Sequence, residues 1–150
     1  MKPDLATLRD LATRLERAMG PDRDLNARID AAFCNHGMAR PSASKPGFVV
    51  VRYENSTGTH RASDYTGSLD AVATLHERLL PGWSWQLRVN CTRDGDETYA
   101  NAQVWQPCDP RDDDRQIYWA SGPDTQPALA WLRAIVAALI AQAEGRDGAA

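Results

Sequence analysis

Between Trp83 and Cys91 apolar and polar residues alternate without a break. Trp83, Trp85, Leu87, Val89 and Cys91 fall on one side, and Ser84, Gln86, Arg88 and Asn90 on the other. That period of two predicts a strand with one face on a core. Asp94-Gly95 follows, in Thr92–Asp96, and suits a tight hairpin because both residues tolerate positive φ. Thr98 to Gln106 then puts Ala100, Ala102 and Val104 on one face of a second strand. The pair predicts an antiparallel hairpin at the centre of a sheet, with helices before and after it.

Helical spacing marks the rest of the framework. Leu5, Leu8, Leu11, Leu15 and Met19 predict an amphipathic helix that Gly20-Pro21 ends. Asp22 can cap a second helix carrying Leu25, Ile29, Ala32 and Phe33, so the two make a helical hairpin. Ser68 caps a middle helix with Leu69, Val72, Leu75 and Leu79, stopped by Pro81-Gly82. Thr125 and Pro127 open a last helix with Leu129, Leu132, Val136, Leu139 and Ile140, expected to fray from about residue 145 to 150. Phe48 to Tyr53 is a β-branched and aromatic strand, and Gln116 to Ala120 a short edge strand. Gly37–Gly47 and the polar stretch Glu54–Gly67 are expected as loops, and Gln106–Asp114 as a solvated acidic connection. The expected fold is a single α+β domain over residues 1–150. An antiparallel sheet of about four strands is sandwiched with the N-terminal helical hairpin, the middle helix and the C-terminal helix.

Composition narrows the function classes. With 150 residues, 43% apolar and 25% charged, the chain has the make-up of a soluble globular domain. A net charge of −3 weighs against a nucleic-acid polymer as partner, while leaving room for local basic pockets. No apolar run is expected to reach the length of a membrane span, and the N-terminus lacks a signal-peptide core. Cys34, Cys91 and Cys108 form no CxxC pair and leave one cysteine over under any single bridge, which favours a reducing cytoplasm. Five tryptophans are more than one small core easily covers, so a homo-oligomer is expected.

Four motifs, in order, resemble the small phage and prophage proteins of the phage ABA sandwich domain family. They are Gly-Pro-Asp-Arg at Gly20–Arg23, Tyr-Thr-Gly-Ser-Leu-Asp-Ala at Tyr65–Ala71, Gly-Trp-Ser-Trp at Gly82–Trp85 and Thr-Gln-Pro-Ala-Leu-Ala at Thr125–Ala130. The likeness runs over nearly the whole chain and departs from the family in a longer segment from Gly37 to Arg61 and in the Asp-rich loop. It implies a helix–sheet–helix sandwich of phage origin, at work in the host bacterial cytoplasm. It carries no activity to transfer residue by residue.

Candidate chemistry is sparse. His76-Glu77 lacks the second histidine of a zinc-protease motif, and neither a nucleophile elbow nor a glycine-rich phosphate loop occurs. Cys34 and His36 are two ligands where structural zinc takes four, and Asp109, Asp112, Asp113 and Asp114 fit no calcium loop, so no metal or cofactor is assigned. The best candidate is the hydroxyl-rich stretch after the Phe48 strand. Arg52, Thr59, His60 and Arg61, with Arg88 from the central strand, are donors for an anion, and Tyr65 or Trp105 is an aromatic for a planar group. The leading expectation is a non-enzymatic, phage-encoded protein that sequesters a small anionic or nucleotide-like molecule, by analogy with compact phage proteins that capture nucleotide immune signals. A protein–protein interaction module using exposed tryptophans is the alternative, and an enzyme with His60 as base is the third.

Overall fold

The computed structural model describes residues 2–33, 38–91, 98–107 and 116–148. It is an α+β fold of four helices and two three-stranded antiparallel sheets. Helix α1 (Leu5–Arg17) begins where Asp4 accepts from the Thr7 amide at 2.7 Å. Helix α2 (Arg23–Phe33) begins where Asp22 accepts from the Leu25 amide at 3.0 Å. Each carboxylate satisfies an amide that the first turn leaves without a partner. Ser68 does the same for α3 (Leu69–Leu79), accepting from the Ala71 amide at 3.3 Å.

The first sheet holds β1 (Met38–Pro41), β2 (Phe48–Arg52) and β3 (Thr57–Arg61), with β2 in the middle. Both outer strands fall in stretches expected as loops. Met-Ala-Arg-Pro is too short to display a period, and Thr-Gly-Thr-His-Arg has almost no apolar residue to alternate. Pairing with Val49 and Val51 recruits both, so the sheet count rises from one of about four strands to two of three. Ala39, Val49, Val51 and Gly58 share one face by register, and this face meets α2 through Ala27 and Ala31.

The second sheet holds β4 (Ser84–Cys91), β5 (Thr98–Trp105) and β6 (Ile117–Pro123) in chain order. Its register is the one the alternation predicts. Trp85, Leu87 and Val89 lie opposite Val104, Ala102 and Ala100, and these lie opposite Tyr118, Ala120 and Gly122. Helix α4 (Pro127–Gly148) covers this face over β5 and β6, while Trp85 and Val89 on β4 remain exposed. At Gly122 the helix comes so close that a Cβ would stand 3.0 Å from the Ala130 amide nitrogen. The strand expected over Gln116–Ala120 is this edge strand. The helix runs on to Gly148, past the point where fraying was expected. The Asp94-Gly95 turn and the Asp109–Asp114 cluster lie outside the described residues.

Helix α4 is buried mainly between Ala128 and Ala138, with β5 and β6 on one side and α1 and α3 on others, and this accounts for its apolar first half. Contrary to the sequence expectation, Pro127–Gly145 is long and apolar enough to cross a membrane, with a mean hydropathy of 1.4. Half of that window is buried inside the fold, and packing accounts for its composition. Helix α1 touches both α2 and α4, so contact runs from the first sheet through α2, α1 and α4 to the second sheet. This order, with helices between sheets, differs from the implied helix–sheet–helix sandwich.

Two polar devices tie the layers together. The Arg133 guanidinium donates to the carbonyls of Leu15 at 2.9 Å, Glu16 at 3.3 Å, Ala18 at 3.0 Å and Ser121 at 2.6 Å. It thereby joins the end of α1 to β6, and burial pushes its pKa down. His76 is wholly buried. Its Nδ1 accepts from the Trp131 indole N–H at 3.3 Å, so Nε2 carries the proton and donates to the Trp83 carbonyl at 3.1 Å.

Candidate functional site

The face of the first sheet turned away from α2 gathers cations. Because the side-chain period is two, the outward positions are Met38 and Arg40 on β1, Phe48, Val50 and Arg52 on β2, and Thr57, Thr59 and Arg61 on β3. Across the strands, Met38, Arg52 and Thr57 form one row, and Arg40, Val50 and Thr59 the next. Phe48 and Arg61 form the last. No carboxylate occupies any of these positions. The β1–β2 turn adds a fourth cation. The Phe48 amide donates to the Lys45 carbonyl at 3.2 Å, the Lys45 amide donates to Ser42 Oγ at 3.1 Å, and Lys45 Nζ then sits 4.0 Å above the Phe48 ring.

Arg40 and Arg52 stand diagonally across β1 and β2, roughly 7–8 Å apart at the backbone. With Met38, Ala39, Val50 and Thr57 they line a surface cavity of about 450 Å³. Among the described residues, neither arginine has a carboxylate within ion-pair distance, and the same holds for Lys45 and Arg61. Ion pairs among the described residues lie elsewhere: Arg14 with Asp10 and Arg28 with Asp24 along their helices, and Arg9 with Glu144 across α1 and α4. Like charges repel when placed together, so an anion received by this group of cations would be stabilised. Two guanidinium forks and a hydroxyl match the acceptor geometry of a phosphate.

Of the residues singled out from sequence, Arg52, Thr59 and Arg61 share this face. His60 points the other way, toward α2, with Nε2 3.3 Å from Asp30 Oδ2. Tyr65, 6% exposed, is packed in the core and its hydroxyl pKa is raised by burial, so its ring is not free to stack on a ligand. Arg88 and Trp105 belong to the outward face of the second sheet. Strand β2 pairs with β1 and β3 and not with the hairpin, so Arg52 and Arg88 do not meet. On that second face, Gln86 with its amide oxygen turned toward Arg88 accepts from Nη2 at 2.9 Å. Trp105 sits there between Ser84 and Ile117, and the neighbouring Trp119 is 65% exposed. Arg40 and Lys45 went unnoticed in the sequence, whereas Thr57 is one of the hydroxyls of the stretch after the Phe48 strand singled out there. Arg40 stands in a strand of four residues, too short to show a period, and Lys45 in the turn that follows it.

No known protein family, curated protein or solved structure matches the chain. The resemblance to the phage ABA sandwich domain family therefore stands on its motif residues. The structure gives those motifs a local role. The Asp22 amide donates to Thr66 Oγ1 at 2.8 Å, the Thr66 amide donates to Asn26 Oδ1 at 2.8 Å, and Asn26 Nδ2 donates to Asp64 Oδ1 at 3.1 Å. The Gly-Pro-Asp-Arg turn is in this way fastened to the Tyr-Thr segment before α3.

Proposed function

We propose that this chain is a non-enzymatic binding protein that holds a small phosphate-bearing, nucleotide-like molecule on the outward face of the first sheet. The observation that supports it most is the Arg40–Arg52 cavity, with two arginines and Thr57 on its walls and, among the described residues, no carboxylate in its lining. A chain of net charge −3 gains little from long-range attraction of an anion, so capture relies on donors gathered locally. Hydrogen bonds to a charged group are worth about 1.5–3 kcal/mol each, so losing one guanidinium costs roughly tenfold or more in affinity. With the motif resemblance, the setting is a phage or prophage gene expressed in the host bacterial cytoplasm, and the role is sequestration of a nucleotide signal. Mass spectrometry of what the purified protein retains tests this. The ligand is expected to be released intact on denaturation, and to be lost from an Arg40→Gln, Arg52→Gln double variant. Undiminished retention by that variant removes the site, and release of a cleaved product makes the protein an enzyme.

A second reading is an interaction module for a host or phage protein, or for another copy of this chain. It is supported by Trp119 and Ile117, exposed on β6 opposite Gln103 and Trp105 on the outward face of the second sheet. Light scattering and binding assays on Trp119→Ser test it. A monomer at high concentration, with no change of partner binding in the variant, would dismiss this reading.

A further inference from the structure

Of the four sheet edges among the described residues, three carry features that discourage a further strand. Strand β1 is four residues long and ends in Pro41, and β3 is five residues long with Gly58 and Arg61 in it. On β6 the Ser121 carbonyl is taken by Arg133, and Gly122-Pro123 closes the strand. The edge of β4 has none of these. Its eight residues, Ser84–Cys91, hold no proline or glycine and pair with β5 in unbroken register. Among the described residues no strand pairs with its other edge. Helix α4 leaves the same strand open: Trp85 is 45% exposed and Val89 59% exposed, although both lie on the apolar side of the sheet. The Trp85 ring rests against the Trp131 ring of α4, centroids 4.1 Å apart, and Leu87 is half-buried against the core.

We propose that the β4 edge is the contact of a homodimer, in which β4 of a second copy pairs with it antiparallel and joins two three-stranded sheets into one of six strands. A two-fold axis normal to the sheet keeps every side chain on its own face, so residues of the same face meet across it. With the axis at Leu87, Trp85 lies opposite Val89 of the second copy, Gln86 opposite its Arg88, and Ser84 opposite its Asn90. Each exposed apolar residue then covers another, and an aromatic facing a β-branched residue is a favourable cross-strand pair. Each guanidinium meets an amide oxygen and not a like charge. An axis at Arg88 would set two guanidiniums face to face. One at Gln86 would slide Asn90 past the end of the partner strand, onto Gly82. The Leu87 register uses the strand from Ser84 to Asn90 without opposing like charges. That self-complementarity marks the partner as a second copy of this chain. The contact is made by the edge and apolar side of β4, away from the first sheet and from Trp119, and is independent of the anion-binding reading.

Sedimentation velocity of the full chain, from micromolar to millimolar concentration, tests this. The mass should pass from 16.5 kDa to twice that value. Val89→Lys places an ammonium in the apolar contact from a position already exposed, and should weaken the dimer roughly tenfold or more. Gln86→Glu sets a carboxylate opposite Arg88 and should tighten it several-fold. This second variant keeps the apolar side intact and reads the register on its own if the lysine variant fails to fold. Trp119→Ser should leave the dimer unchanged. Hydrogen exchange of the β4 amides should slow as the dimer forms. A monomer at every concentration overturns the proposal. So does a dimer indifferent to both β4 variants, or one lost in Trp119→Ser, which would put the contact on the outward face of the second sheet.

Discussion

Replacing Arg133 by methionine should destabilise this fold more than any other single loss of charge. The side chain leaves α4 and ends among four carbonyl oxygens, three at the C-terminal end of α1 and one on β6. Methionine keeps the apolar stem and removes every donor. A hydrogen bond to a charged group contributes about 1.5–3 kcal/mol, but the four share one guanidinium and do not add. The favourable alignment of a cation with the C-terminal end of a helix adds roughly 0.3–1 kcal/mol. Part of the loss returns because the helix-end carbonyls can reach water. The net cost should be about 3 kcal/mol, which for a chain of this size lowers the melting temperature by roughly 6–12 °C. Arg133→Lys should fall between, because an ammonium has three donors and no planar fork to span α1 and β6. Arg9→Gln is the control. It breaks an ion pair with Glu144 in which both side chains are more than half exposed, and it should cost under about 1 kcal/mol. Differential scanning calorimetry of the three variants decides the matter. An Arg133→Met protein that melts within a degree or two of Arg9→Gln would refute the account of Arg133 as the tie between α1 and the second sheet.

Three further outcomes follow from the core. His76→Leu leaves the Trp83 carbonyl and the Trp131 indole N–H without their partner and should cost about 2–6 kcal/mol in urea denaturation, at roughly 1–3 kcal/mol per orphaned group. A loss under 1 kcal/mol would mean that water replaces the imidazole. Gly122→Val forces a side chain against the α4 backbone and should cost about 1–3 kcal/mol, with Gly122→Ala milder; a neutral valine would show that α4 can move off β6. Leu87→Asp, on the α4 side of β4, should cost about 3 kcal/mol against under about 0.5 for Gln86→Asp on the other side, and equal losses would show the register to be wrong.

The sequence was legible where a pattern repeats. Trp83 to Cys91 alternates long enough to fix both the strand and its faces, and the leucine spacing of α1 and α3 sets their buried sides in advance. What stayed hidden was pairing. Strands β1 and β3 carry too few apolar residues to announce themselves, and they exist because β2, with Val49 and Val51 inward, offers backbone partners on both edges. The candidate site suffered from the same gap. Arg52, Thr59 and Arg61 were picked as donors in or beside a loop, yet what unites them is a strand register that also turns His60 away and brings in Arg40. Tyr65 looked available because its flanks are polar, whereas its ring reaches the core across the turn before α3. The expected meeting of Arg52 with Arg88 assumed one sheet, and there are two.

The central claim is that the outward face of the first sheet, and not that of the second, receives an anion. The most direct measurement is nuclear magnetic resonance of the arginine Nε–H and tryptophan indole N–H signals during titration with adenosine monophosphate. Arg40 and Arg52 should shift together and saturate, and the shifts should vanish in the Arg40→Gln, Arg52→Gln variant. Arg88, Trp105 and Trp119 should stay where they are. Shifts confined to Arg88 and the tryptophan indoles, or none at concentrations of several millimolar in low salt, would contradict the account.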